Sequence, residues 1–532
     1  MRLIFGDDNA EDDDLLSECF LDRKSFRISK PIITGKWGTG KTASIFDSCK
    51  ELAKQLKADN PLDLWYMNEH AFDIKEMVAL KAIHADSNYN LEVALQDLWR
   101  AEIIRALVIQ LGALQEYYNL ENSLHWKAIH KLSLIERIKF PIWKSIKIAV
   151  EIATNSAVDL NKADEVKSDL SAVFHHKTYS DVIKCIGDIS SEKIKPKIAI
   201  EPIETPNSPL EAQSGIAQLT VSSLLNTYQA YFTPNKLNGA EIFITIPWHR
   251  YRKEDLNFPQ KMTSKVKRMR WNETDLREFI NKRIEYEFRQ AARGYNRKNV
   301  DPWNTLYGAT VRNDHCHVGY AECSFKYVLR HTHHRSRDIQ RLARKIVEHA
   351  VEVHDKDVED VLIGRGGWKI PFTTIQDAIK KESAVLYDER VIEGTRRYPV
   401  LKKIMESLYC LKVPFEFKDL KDRLEPLSID TNEAISILWD SGFLGIEISP
   451  SGEQYAMGLK SILGEESLRT YEFQGHSKIR KWYFFEHNHD GDPKQMINRY
   501  NNSQESVAKY VLHAISFDKL MLNVSRECPI GV

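Results

Sequence analysis

Residues 28–42 read Ile28-Ser29-Lys30-Pro31-Ile32-Ile33-Thr34-Gly35-Lys36-Trp37-Gly38-Thr39-Gly40-Lys41-Thr42, and this stretch decides the fold. Its last eight residues match G-x-x-x-x-G-K-[ST], the pattern of a loop that wraps phosphate. The residues before the loop supply a short strand. Those after it, Ala43, Ile45, Phe46, Cys49, Leu52, Ala53 and Leu56, recur at three- and four-residue spacing, the apolar stripe of an amphipathic helix. A chance glycine-rich turn would not bring both flanks in the right order. Three glycines let backbone N–H groups face phosphate oxygens, and the start of the helix adds about half a positive charge. Gly35, Lys36, Trp37, Gly38, Thr39, Gly40, Lys41, Thr42 and Ala43 are therefore the expected nucleotide cradle. Lys41 would reach the β- and γ-phosphates and Thr42 would ligate Mg²⁺, so ATP and Mg²⁺ are the expected ligands.

Such a loop works with an acidic residue at the tip of a neighbouring strand. Two apolar runs end in carboxylates: Lys197-Ile198-Ala199-Ile200-Glu201-Pro202-Ile203-Glu204 and Ala384-Val385-Leu386-Tyr387-Asp388-Glu389. The second continues a helical pattern from Ile375 and has no turn signal at its acidic tip, so it is set aside. The first is bounded by Pro196 and Pro202 and is followed by a helix-like segment, 210–232, and a strand, Glu241 to Ile246. Glu201 is the expected Mg²⁺-side carboxylate. Pro202 stands where a catalytic base would follow it, which leaves Glu204 as the candidate base and leaves both fast turnover and a slow, nucleotide-held switch open.

Working outward, residues 63–67 read as a second strand and about 70–195 as a helical insertion, with stripes at 90–114, 132–152 and 168–189. Residues 262–271 suit a short fifth strand. Asn272-Glu273-Thr274-Asp275 then caps a helix with Leu276, Phe279, Ile280 and Ile284 on its inner face, and Arg335-Ser336-Arg337-Asp338 starts another. The expected domains are a core over 1–272, a helical lid over 273–385 and a C-terminal domain with a tail over 386–532.

The chain has 532 residues, 75 of them Lys or Arg and 75 Asp or Glu, so nothing global attracts nucleic acid or membranes. Composition is that of a folded globular protein, with 42% hydrophobic and 28% charged residues. The longest apolar stretch, 103–114, is broken by Arg105 and is too short to span a bilayer. An acidic start and seven scattered cysteines predict a cytoplasmic chain with free thiols.

The P-loop, the W-x-x-x-D-L segment at Trp271 to Leu276 and the R-x-R-D segment at Arg335 to Asp338 together resemble AAA+ ATPases of the origin-recognition and initiator-like group. The opening Phe5 to Asp22, FGDDNAEDDDLLSECFLD, looks like a bacterial branch of these P-loop ATPases, many encoded beside mobile elements or defence genes. The resemblance implies an AAA+ type α/β fold whose parallel-sheet core carries a helical insertion, a helical lid and a winged helix. It implies an adenine pocket near the N-terminal segment, with ATP held between core and lid. It also implies a sensor at the fourth strand tip (Thr245), a trans-acting arginine (Arg250 or Arg252) and a lid arginine (Arg337). Ser336 departs from the proline usual in the lid motif, and Glu201-Pro202-Ile203-Glu204 departs from the usual second motif.

In the C-terminal third, helix 399–411, strand 413–417, helices 418–427 and 432–439 and strands 445–448 and 479–485 follow the order of a winged helix. Its reader helix carries Glu433 and Asp440 and no Lys or Arg, which favours a protein partner over duplex DNA. Basic clusters at 261–270, 335–345 and 390–403 are the candidate DNA contacts. His315, Cys316, His317, Cys323, His331, His333 and His334 form a His/Cys-rich stretch without paired zinc spacing, read as lid-loop histidines. The expected activity is ATP hydrolysis by a homo-oligomeric switch or motor that engages a partner protein in anti-phage or mobile-element defence. A non-hydrolysing scaffold for an effector and an initiator-like DNA-binding ATPase are the alternatives.

Overall fold

The computed structural model describes residues 4–7, 13–21, 29–45, 47, 66–68, 92, 95–96, 99–100, 103, 106–107, 197–201, 214–233, 241–251, 255–257, 259–291, 301–312, 321–364, 368–448, 468–474, 479–485 and 508–524. By contact the chain divides into two units, Arg23–Trp37 with Lys41–Met269, and Met1–Asp22 with Gly38–Gly40 and Arg270–Val532.

The first unit is an α/β layer on a parallel sheet of five strands: β1 (Ile32–Gly35), β2 (Tyr66–Asn68), β3 (Lys197–Glu201), β4 (Glu241–Pro247) and β5 (Val266–Arg268). Their order across the sheet is β2-β3-β4-β1-β5, and every pairing is parallel. β1, β3 and β4 are almost wholly buried and read as unbroken apolar runs (IIT, IAI, IFITI), as strands covered on both faces must. β5, at the edge, is half-buried and carries Lys267 and Arg268, charges that discourage a further strand from pairing there. Met262 and Thr263 of the expected fifth strand instead finish a helical turn, Pro259–Thr263, and the strand itself spans three residues, Val266–Arg268.

Helix α1 (Ser214–Tyr231) follows β3. Of the expected insertion, eight residues between Glu92 and Leu107 are described, all helical, and Leu95, Trp99, Ile103 and Leu107 are buried at four-residue intervals. Trp99 donates its indole N–H to the Thr220 carbonyl (3.0 Å) and the Thr227 hydroxyl donates to that of Gln96 (3.2 Å), which fixes this helix on α1. The stripes at 132–152 and 168–189 lie outside the described residues.

The second unit is built on three long helices, α2 (Glu273–Ala291), α3 (Ser336–His354) and α4 (Phe372–Arg397), with a small antiparallel hairpin, β6 (Thr310–Arg312) and β7 (Ala321–Cys323), between α2 and α3. α4 is continuous through residue 385, so the expected lid boundary at 385/386 falls inside it, and Ala384 to Glu389 is helix rather than a strand tip. The N-terminal segment packs in this unit. Phe5 N–H donates to Glu287 (3.1 Å), Gln340 and Arg344 donate to the Gly6 carbonyl (3.1 and 3.0 Å), and Arg283 pairs with Asp13 at 2.5 Å, both side chains buried. Gly6 has φ +83°, and a Cβ there would stand 2.1 Å from Asp13 Oδ1, so only glycine fits.

After α4 come α5 (Leu401–Ser407), β8 (Lys412–Val413), α6 (Phe417–Leu424), α7 (Thr431–Asp440), β9 (Leu444–Ile448), β10 (Leu468–Gln474), β11 (Ile479–Phe485), β12 (Ala508–Leu512) and β13 (Asn523–Val524). β9 to β12 form an antiparallel sheet in the order β10-β11-β9-β12, and β8 pairs with β13. One apolar core, with Leu401, Ile404, Leu408, Leu438, Phe443 and Ile515 at its centre, holds the helices to the sheet. β10, β12 and β13 were not among the expected elements.

Candidate phosphate-binding site

In the sheet unit, the candidate site stands at the carboxyl end of β1. The next strand in sequence, β2, lies on the far side of β4 and β3, while β4 is followed by β5 on the opposite side of β1. The loop after β1 is thus at the point where the winding reverses, where open parallel sheets form their ligand crevice.

Lys41 is 5% exposed, and its ammonium donates to the carbonyls of Gly35 (3.4 Å) and Lys36 (3.3 Å). These are long contacts, ones a phosphate oxygen would readily replace. Thr42 Oγ1 donates to Glu201 Oε2 at 2.7 Å. The two residues expected to hold Mg²⁺, separated by 159 positions, are therefore in direct contact, with Glu201 only 3% exposed. A hydroxyl and a carboxylate are hard oxygen donors of the kind Mg²⁺ accepts beside water and phosphate, so this pair fits such an ion.

Thr245 is fully buried on β4, and its hydroxyl has no hydrogen-bond partner. Ile200 of β3 is paired with Ile244 of β4, so Glu201 and Thr245 are the next residues of adjacent parallel strands and occupy one row of the sheet. Lys36 and Trp37 are also buried, and the Trp37 ring lies 4.6 Å from that of His249. Arg250 closes the helical turn Trp248–Arg250 and is 0% exposed. Arg252 and Glu204 lie outside the described residues.

In the C-terminal unit, the loop tip Gly38–Gly40 is held by its carbonyls. The Ser336 hydroxyl (3.1 Å) and the Arg337 N–H (3.2 Å) both donate to Gly38, and the Trp271 indole donates to Thr39 (2.9 Å). Gly38 and Gly40 have φ +74° and +80°, and a Cβ on Gly38 would stand 2.7 Å from that of Arg337. The expected lid arginine is thus at the loop tip, half-buried in the first turn of α3. Sequence reasoning named Trp271 and Ser336 without giving either a task; the signal for Ser336 was its hydroxyl in place of the usual proline.

The basic clusters are only partly surface. Arg335, Arg344 and Arg390 are buried, and Arg341 is paired with Glu382 and with Glu389 (2.7 Å) on α4. Carboxylates of α4 face Arg335 and Arg341, and Arg344 donates to the Gly6 carbonyl, while Lys402 and Lys403 remain exposed. Of the His/Cys stretch, His315, Cys316 and His317 lie outside the described residues. His331 accepts or donates at Ser383 (3.2 Å), and His333 stacks on His513 at 4.2 Å. Among the described residues no group of three or more His, Cys, Asp or Glu could hold a metal ion, and no helix is long and apolar enough to cross a membrane.

Comparison with family models, curated proteins and solved structures returns no match. The chemistry of the site therefore rests on its own residues: a buried cation and a glycine loop, which could take phosphate, and a part-buried hydroxyl–carboxylate pair, which could take a divalent ion.

Proposed function

We propose that this chain is an ATP-binding P-loop ATPase of AAA+ type, a cytoplasmic homo-oligomeric switch that engages a partner protein through a C-terminal winged-helix domain. The observation that carries the proposal is the 2.7 Å contact between Thr42 and Glu201 at the mouth of the Gly35–Thr42 loop. Strand order adds support by placing that loop at the winding reversal.

In this reading Lys41 exchanges its two carbonyl contacts for the terminal phosphates, and loop N–H groups hold their oxygens. Thr42 and Glu201 would hold Mg²⁺, which when bound would neutralise charge building on the phosphates. Thr245, one strand over from Glu201, has a hydroxyl available to orient the attacking water. Arg337, beside Gly38, would follow the state of the loop. Proline at 202 offers no proton acceptor, which favours slow turnover and keeps the nucleotide-gated scaffold as the second reading.

The partner is proposed to be protein because α7 exposes Asn432 and Glu433 and carries no cation. A role in defence rests on the resemblance alone. The test is ATP binding and phosphate release by the purified chain. Lys41→Ala should weaken both by about 10²-fold, and Glu201→Gln should retain binding and slow release by about 10²–10⁴-fold. Turnover indifferent to both changes would overturn the site. Binding of Mg²⁺-ATP with no turnover in the unmodified chain selects the scaffold.

A further inference from the structure

The loop tip is not held in isolation. Arg335, the residue before the two that grip Gly38, is 4% exposed and turns its guanidinium the other way along α3. Its Nε donates to Asp338 Oδ2 (2.9 Å), its Nη2 pairs with Asp338 Oδ1 (2.8 Å), and its Nη1 donates to Glu393 Oε2 on α4 (3.3 Å). The same Glu393 oxygen accepts from Arg390 Nη1 at 2.6 Å. Arg390, fully buried, also reaches a backbone carbonyl: Nε and Nη2 both donate to the oxygen of Ser441, at 3.1 and 2.8 Å. Ser441 caps the C-terminus of α7 and leads directly into β9.

Two cations and two anions thus form one connected, neutral and buried set from α3 through α4 to the end of α7. Burial opposes the Arg335 charge, but Asp338 and then Glu393 outweigh it and raise the guanidinium above its ordinary value. Burial lowers that of Arg390 even with Glu393 beside it. Such a set is costly to desolvate, and replacing it with apolar side chains often stabilises a protein, so stability alone does not explain it. What it does supply is register: each guanidinium is fixed at several donors, so a shift of one member disturbs the others. Packing at the far end is equally tight, since a Cβ on Gly394 would stand 2.4 Å from Leu401 and 3.5 Å from the Ser441 Cβ.

We propose that Arg335, Asp338, Glu393 and Arg390 form a relay that couples the loop tip at Gly38 to the cap of α7 at Ser441, so that nucleotide in the loop changes the packing of the C-terminal domain. This rests on the nucleotide reading above for its trigger, while the wire itself is independent of it. Coupling is reciprocal: whatever the nucleotide does to the α7 cap, the cap does to nucleotide affinity.

The experiment uses the full chain and hydrogen exchange at the backbone amides of 441–446, with and without a saturating, slowly hydrolysed ATP analogue and Mg²⁺. Two backgrounds are compared, the unmodified chain and Arg390→Met with Glu393→Met, which removes one cation and one anion and leaves the Arg335–Asp338 pair intact. Glu393→Gln serves if the double variant does not fold. Exchange at 441–446 should change about fivefold or more on adding the analogue to the unmodified chain, and should not change in the variant, whose nucleotide affinity should also differ by about fivefold or more. A separate arm needs no nucleotide: Ser336→Ala, which loosens the grip on Gly38, should speed exchange at 441–446 in the unmodified background alone. Tight analogue binding with unchanged exchange overturns the relay. Failure of the analogue to bind, together with a positive Ser336→Ala arm, overturns the nucleotide reading and leaves the relay standing. Exchange at 441–446 unmoved in both arms overturns the relay whether or not the analogue binds.

Discussion

The sheet unit and the C-terminal unit both bury charged groups, and they do so in different ways. At the head of the sheet, Lys41, Thr42 and Glu201 are each marked by a local pattern, a glycine loop or an apolar strand ending in an acid, and the fold has only to bring two strand tips together. In the C-terminal unit the contacts join distant segments whose local patterns do not point to one another. Arg283 meets Asp13 across 270 positions, and Ser336 meets Gly38 across 298. Under the proposed function the first kind of contact is prepared for a ligand. The second is prepared for other parts of the same chain, and its removal should register as stability before it registers as chemistry.

The largest effect that would test this difference is expected at Arg283. Arg283→Met leaves Asp13 buried without its cation and should cost about 3–5 kcal/mol in urea unfolding. Adding Asp13→Leu should recover most of that loss, because an apolar pair replaces an ionic one. A single-variant cost within about 0.5 kcal/mol, the range of an ordinary surface change, would break the comparison.

This division explains what could be read in advance. β1, β3 and β4 were legible because strands covered on both faces must be apolar along their length, and α2 and α3 because their stripes follow capping residues such as Asn272. Glu201 was legible as the acid that ends such a run. The acidic opening and the arginines of 335–345 look like solvated surface in sequence, since a charge does not announce its partner; Asp13 and Arg335 became interior only because Arg283 and Glu393 face them. β12, with Tyr510-Val511-Leu512 running apolar without alternation, was not seen apart from the sheet it completes.

A middle-sized effect concerns pH. Burial, and then the charge of Arg330, push the His331 imidazole down from 6.5 to about 3. Between those values the unfolded chain takes up a proton that the folded chain refuses, so stability falls as pH drops from about 6.5 toward 3, by up to about 1.4 kcal/mol per pH unit. His331→Gln, which keeps a polar group beside Ser383, should flatten this acid slope in the thermal unfolding of the chain. An unchanged slope would place the acid sensitivity elsewhere.

The smallest effect is the most discriminating for the loop tip. Ser336 occupies the first position of α3, where proline is well accommodated. Its neighbour Arg335 already has φ −109° and ψ 143°, the extended conformation that a following proline enforces. Ser336→Pro therefore disturbs no backbone angle and removes one group of note, the hydroxyl that donates to Gly38. The expected cost is about 0.5–1.5 kcal/mol, that of one hydrogen bond, and Ser336→Ala should match it. Equal costs would mean that the hydroxyl alone distinguishes serine from proline at this position. A proline variant worse than alanine by more than about 1.5 kcal/mol would instead assign the difference to the backbone at the start of α3, and the grip on Gly38 would then depend on the helix rather than on the side chain.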